Sequence, residues 1–299
     1  MADPALDEIL PIRNLFYLGD YQKVVNEATN PHQPRTEQAR LLRRVFLYRA
    51  YLAQKKYNMV ISEIAKASEI ELRAIGTIAR YFITPAAQRD QLVAEMKALA
   101  DESLGLNVTV QILAATLFFA HGLLDDALRL VAEKHQNLEC IALTVQAYLK
   151  LDRPNLALQA VQKMKAWAED DVLAQLIESW VNLYIGGPER TQESVYTFEE
   201  LVSSKGPTAK LLNSQAVSKM TTGQFAEAEG LLFEALNKNN NDPDTIANLL
   251  VCADATGKSS DVINRYISQL HDVAQDHAAL QDRSLKETLF DRCAQRFQI

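Results

Sequence analysis

Gly223 and Gly257 stand 34 residues apart, and each is followed five positions later by a small residue, Ala228 and Val262. Ahead of Gly223 run Leu211, Leu212, Ala216 and Met220, and behind it Phe225, Ala228, Leu231, Leu232 and Ala235. That spacing predicts two amphipathic helices joined at the glycine, a helical hairpin. Gly19 and Gly122 repeat the arrangement, with Val24 and Ala127 behind them. Taking the small residue on the second helix as a ruler gives Val24, Val60, Ala94, Ala127, Ala157, Val195, Ala228 and Val262, spaced 30 to 38 residues with a mean of 34. No alternating β-branched run and no Asn-Gly or Asp-Gly hairpin turn competes with this reading.

A period of 34 is that of the tetratricopeptide (TPR) repeat, whose turn carries a glycine. Eight such units account for residues 1–299, so the expected fold class is all-α, a single TPR-like solenoid winding as a right-handed superhelix with a concave face. The prolines agree, because proline breaks helix interiors. Pro31, Pro34, Pro207 and Pro243 fall between units, and Pro85, Pro154 and Pro188 fall between the helices of units three, five and six. Gly186 to Arg190 lengthens the inner turn of unit six and accounts for its 38-residue spacing. Residues 276–297, carrying Leu280, Leu285, Leu289 and Phe297 on a charged background, read as a capping helix.

Composition narrows the function. The apolar share of 48% is too high for a disordered chain. A net charge of −7 disfavours nucleic acid and anionic membranes as partners. Cys140, Cys252 and Cys293 form no C-x-x-C pair and point to a reducing compartment, the cytosol. The opening MADPALDEIL lacks the basic and apolar regions of a secretory signal, and the apolar segment from Ile112 to Leu124 is too short to span a bilayer. Asn107-Val-Thr is a chance glycosylation match in that compartment.

Catalytic and cofactor constellations are not evident, so neither an enzyme nor a cofactor or metal is expected. His32, His121, His135, His271 and His277 show no metal-ligand spacing, and His121 and His135 read as solvated or capping side chains at helix ends. Gly257-Lys258-Ser259 ends like a phosphate loop but lacks the first glycine and follows a helix where that motif follows a strand. Glu227 and Glu229, or Glu169 with Asp170 and Asp171, are too close in sequence to share a helix face. Arg35, Arg40, Arg43, Arg44 and Arg49 read as a polar helix face rather than an anion site.

In TPR proteins the first helix of each hairpin lines the groove. Counting back from the ruler places Leu42, Val45, Arg49 and Leu52 there in unit two, and Thr109, Ile112, Thr116 and Phe119 in unit four. Unit five contributes Glu139, Ala142, Gln146 and Leu149, unit six Leu173, Leu176, Trp180 and Leu183, and unit seven Lys210, Asn213, Val217 and Met220. A groove this apolar suits a partner segment held for most of the protein's life. TPR domains that clamp acidic chaperone tails present more cations, so a co-chaperone or other peptide-binding scaffold is the alternative reading. Partner binding is expected at Leu42, Val45, Arg49, Leu52, Ile112, Phe119, Leu149, Leu173, Leu176, Trp180, Leu183, Val217 and Met220.

The segments FYLGDYQ at 16–22, VFLYRAYLAQ at 45–54, LECIALTVQAYLKLDR at 138–153, AEAEGLLFEALNKNNNDPDTIANLLV at 226–251 and NRYISQL at 264–270 resemble the epsilon subunit family of coatomer, the coat complex of Golgi transport vesicles. The resemblance runs along nearly the whole chain in order. It implies a non-catalytic TPR superhelix that clasps the C-terminal region of the alpha-coatomer subunit. It also implies other coatomer subunits as partners, and a cytoplasmic protein that reaches Golgi membranes and coated vesicles only through the coat.

Overall fold

The computed structural model describes residues 4–32, 34–132 and 136–297; His135 lies outside them. Among the described residues there are eighteen α-helices, one short 3-10 turn at Ala86–Gln88 and no strand. The chain divides into two compact units, Met1–Ile185 and Gly186–Ile299. The division falls at the Gly186-Gly187 turn, within the sixth repeat expected from the sequence.

The first unit holds α1 (Pro4–Glu8), α2 (Leu10–Tyr17), α3 (Tyr21–Ala28), α4 (Glu37–Ala53), α5 (Tyr57–Ile64), α6 (Ile70–Ile83), α7 (Arg89–Glu102), α8 (Val108–His121), α9 (Leu124–Val131), α10 (Leu138–Lys150), α11 (Pro154–Ala168) and α12 (Val172–Ile185). From α2 to α11 these pair as antiparallel hairpins, and first helices also pack on the next first helix, α4 on α6, α6 on α8, α8 on α10 and α10 on α12. Contact with both its own partner and its successor is what makes a solenoid. The second unit holds α13 (Pro188–Lys205), α14 (Ala209–Thr221), α15 (Phe225–Lys238), α16 (Pro243–Ala255), α17 (Ser260–Val273) and α18 (Ala278–Gln295). There α14 pairs with α15 and α16 with α17, around Ala216, Ala228, Leu232, Ile246, Leu249, Cys252, Tyr266 and Leu270.

Local chemistry starts and stops these helices. Asn107 and Asn137 accept hydrogen bonds from the N–H groups of Val110 (3.2 Å) and Cys140 (3.1 Å), Thr208 and Asp242 from those of Leu211 (3.1 Å) and Thr245 (3.0 Å). Each satisfies an orphan donor of the first turn. Asn107 also donates to Glu71 Oε1 at 2.7 Å, so both the oxygen and the nitrogen of this amide hold structural contacts. Pro154, Pro188 and Pro243 each occupy a first helical position, where the missing N–H costs nothing.

The ruler shows in the backbone. Five residues before Val24, Val60, Ala127, Ala157, Ala228 and Val262 stand Gly19, Lys55, Gly122, Asp152, Gly223 and Gly257, and all six have positive φ, from 55° to 90°. Lys55 and Asp152 hold the turn conformation that glycine holds elsewhere. Val24, Val60, Ala127, Ala157, Val195 and Ala228 are buried and Val262 is half-buried. Ala94 is exposed, with Leu92, Val93 and Met96 turned inward in its place. The third hairpin turns through Pro85 and the 3-10 turn, so its second helix enters with a different phase.

Candidate partner-binding surface

The residues assigned to the groove separate into two groups. Leu42, Val45, Ile112, Leu173 and Leu176 are buried among neighbouring helices. Leu52, Phe119, Leu149, Trp180, Leu183, Val217 and Met220 are half-buried, as is Arg49. Phe119 on α8 carries the Lys150 ammonium of α10 over its ring at 4.8 Å.

Arg49 is bound within the chain. Its Nη2 donates to Glu139 Oε2 at 2.6 Å, and Tyr17 donates its hydroxyl proton to Glu139 Oε1 at 2.9 Å. The guanidinium lies 4.6 Å from the ring centre of Phe16 and 4.8 Å from that of Phe46, and Arg13 Nε approaches the Tyr17 hydroxyl at 3.4 Å. Burial opposes the charge on both partners, but the pairing outweighs it. Attraction to Arg49, with hydrogen bonds from Arg49 and Tyr17, holds the Glu139 carboxyl below its ordinary range. The same carboxylate holds Arg49 above its ordinary value. Burial first, and then Glu139, push the Tyr17 phenol upward.

This cluster joins α2 and α4 to α10, and α2 also touches α12. Tyr17 packs with Leu149 and Trp180 in one apolar cluster. The first unit thus curves until its opening hairpin meets its fifth and sixth first helices, and part of its inner side is covered by its own α2. Sequence reasoning did not assign Arg13, Phe16 or Tyr17 to the groove. Continuing the count back from Val24 into unit one would have reached Arg13 and Phe16.

Other polar and charged side chains are engaged within the chain as well. Lys219 lies 3.0 Å from Glu199 and 3.5 Å from Glu227, and Asn213 accepts from Asn248 at 3.0 Å. Of the arginine cluster, Arg43 is buried and donates to the carbonyls of Ala28 (2.8 Å), His32 (2.5 Å), Glu27 (3.3 Å) and Asn30, which caps the end of α3. Arg44 pairs with Glu69 at 2.5 Å and Arg40 Nε donates to the Pro34 carbonyl at 2.8 Å. Lys258 of the phosphate-loop-like segment pairs with Glu229 at 3.2 Å, whereas Glu227 turns to Lys219. His121 Nδ1 lies 3.1 Å from the Tyr81 hydroxyl. Among the described residues no group of His, Cys, Asp and Glu is arranged to hold a metal ion.

The groove position that falls on Val217 recurs 34 and 68 residues later at Val251 and Leu285, which are 50% and 58% exposed. This geometry offers apolar contact area with few free charges, suited to a protein segment rather than to a small polar ligand.

The family described as coatomer epsilon subunit matches residues 5–298. The chain belongs to the coatomer epsilon subunit family. Coatomer subunit epsilon-1 of Arabidopsis thaliana is 35% identical over 298 residues, 99% of each chain. Coatomer subunit epsilon of Dictyostelium discoideum is 31% identical over 97% of this chain and 99% of its own. A crystal structure of a tetratricopeptide repeat protein from Parabacteroides merdae aligns with a TM-score of 0.59 at 14% identity, covering 88% of this chain and 96% of the other. At that identity the likeness concerns fold alone, and it bears out the all-α, TPR-like solenoid expected from the 34-residue period. Membership in the epsilon family places the chain among the subunits of the COPI vesicle coat. Among the described residues no helix is long and apolar enough to cross a membrane.

Proposed function

We propose that this epsilon-family chain is a non-catalytic structural subunit of the COPI coat that binds and stabilises the C-terminal region of alpha-coatomer in retrograde and intra-Golgi transport. It reaches Golgi membranes and coated vesicles from the cytoplasm through its coat partners. The observation that carries the reading is the family match along essentially the whole chain, 5–298. The apolar, half-buried groove residues support a protein partner. The engagement of Arg49 by Glu139 argues against a clamp for an acidic peptide tail.

Val217 and Met220 test the groove directly, because they are half-buried and belong to the second unit, whereas the Tyr17 cluster belongs to the first. A pull-down with the alpha-coatomer C-terminal region is expected to retain the wild-type chain and to lose at least tenfold in affinity for Val217→Glu with Met220→Glu. Unchanged capture by a double variant with wild-type helicity would remove the groove from the proposal. No capture of the wild-type chain would remove alpha-coatomer as the partner.

A further inference from the structure

The last helix is anchored at one end only. His277 Nε2 lies 3.1 Å from Asp244 Oδ1, the His277 ring accepts from the Ala279 N–H at 3.3 Å, and Ala279 and Leu280 pack on the core of the second unit. From Gln281 to Cys293 every residue is exposed. A helix of that length without tertiary cover is marginal in water. Its visible supports are the ion pairs Lys286 to Asp282 at 2.6 Å and Arg283 to Glu287 at 2.8 Å, which contribute little each.

Leu285, Leu289 and Cys293 follow one another at intervals of four along α18, and Phe297 continues the line just past the helix end. Phe290 stands beside it. Leu289, Phe290 and Phe297 are 47%, 72% and 83% exposed. Large apolar side chains this open, gathered on one arc, mark an interaction surface. Arg292 and Arg296 form a second line along the same end. Among the described residues neither meets a carboxylate, whereas Arg283 and Lys286 both do.

We propose that this face of α18 docks an amphipathic helix of a partner chain whose apolar stripe is edged by Asp or Glu. The apolar arc supplies the contact area and the two free arginines select the edge charge. A second copy of this chain fits less well. In parallel pairing Arg292 and Arg296 would face themselves, and in antiparallel pairing they would face Arg283 and Lys286, whose carboxylates are already taken. The residues tested here, on α18, differ from Val217 and Met220 on α14, so each reading can fail alone.

The test uses the full chain and two synthetic helical peptides that share one Leu/Ala face, one edged with Glu and the other with Lys. Fluorescence anisotropy is expected to show binding of the Glu-edged peptide, at least tenfold weaker for Arg292→Glu with Arg296→Glu. That variant should prefer the Lys-edged peptide. Leu289→Asp with Phe290→Asp, at exposed positions that leave the core intact, should abolish binding of both. Amide exchange along 281–295 should slow when the Glu-edged peptide is added. Equal binding of the two peptides, no binding, or protection confined to other helices would overturn the proposal. So would concentration-dependent dimerisation of the wild-type chain that Leu289→Asp with Phe290→Asp removes, since the occupant would then be a second copy.

Discussion

Glu139 sits where burial opposes a charged carboxyl, and Arg49, Tyr17 and Arg13 keep it charged. Both its oxygens are taken, one by Arg49 and one by Tyr17, so the buried pair has no unsatisfied acceptor facing apolar surroundings. Its folded-state pKa lies below the ordinary value. The stabilisation it provides is therefore fully present above about pH 4.3, the unfolded-state value, and is lost as pH falls through the lower folded value. Glu139→Gln leaves the largely covered Arg49 without its counter-charge and is expected to cost about 3 kcal/mol at pH 7. Urea melts of both proteins from pH 7 to pH 2 check this. The difference should shrink below about pH 4, and a difference independent of pH would mean the pair contributes no charge-dependent stability. Arg43 illustrates the same logic without a carboxylate, because four carbonyls at the end of α3 satisfy its donors.

At the scale of the helix, six hairpins turn on one residue in the left-handed region. Four of the six turns use glycine, and Lys55 and Asp152 fill the other two at φ 60° and 55°. An L-residue pays roughly 1–2 kcal/mol for that conformation, part of which glycine returns as lost chain entropy. Lys55 is exposed, so Lys55→Gly is expected to stabilise the first unit by about 0.5–1 kcal/mol. Thermal unfolding of the purified variant measures this, and a lower midpoint would show that the Lys55 side chain contributes more than its strained backbone costs. Asp152 is a poorer choice for the same change because it accepts the Tyr184 hydroxyl at 2.9 Å. The glycine signal that exposed the repeat was blind to these two turns, since lysine and aspartate leave no turn signature at a lone position. The Ala94 assignment failed for a related reason. A hairpin turned by proline and a 3-10 segment does not keep the phase that a single left-handed residue imposes.

For the molecule as a whole, one side-chain hydrogen bond reaches far along the sequence. Tyr17 and Glu139 are separated by 122 residues, and their bond ties the first hairpin of the Met1–Ile185 unit to its fifth. In a repeat array each unit normally contacts only its neighbours, and openings stay local. A bond between distant repeats couples them. Tyr17→Ala is therefore expected to speed amide exchange both in α2 and α3 and in α10, while the α16 and α17 hairpin of the second unit keeps its rates. Hydrogen-exchange mass spectrometry reads all of these segments at once. Acceleration restricted to α2 would show that the contact does not couple the repeats.

The sequence by itself determined the helices, their pairing and the solenoid class, because a 34-residue recurrence of small and apolar residues constrains every hairpin locally. Segments such as LECIALTVQAYLKLDR at 138–153, more specific than the repeat, carried the likeness to the epsilon family. Curvature is another matter. Whether the first helices leave an open groove depends on small rotations added up over the first helices from α2 to α12, and no local pattern records that sum. Only the tertiary structure decided that Arg49 and Glu139, groove residues by register, meet each other and Tyr17. It likewise decided that Leu42, Val45, Ile112, Leu173 and Leu176 are packed inside, while the far face of α18 is left to water.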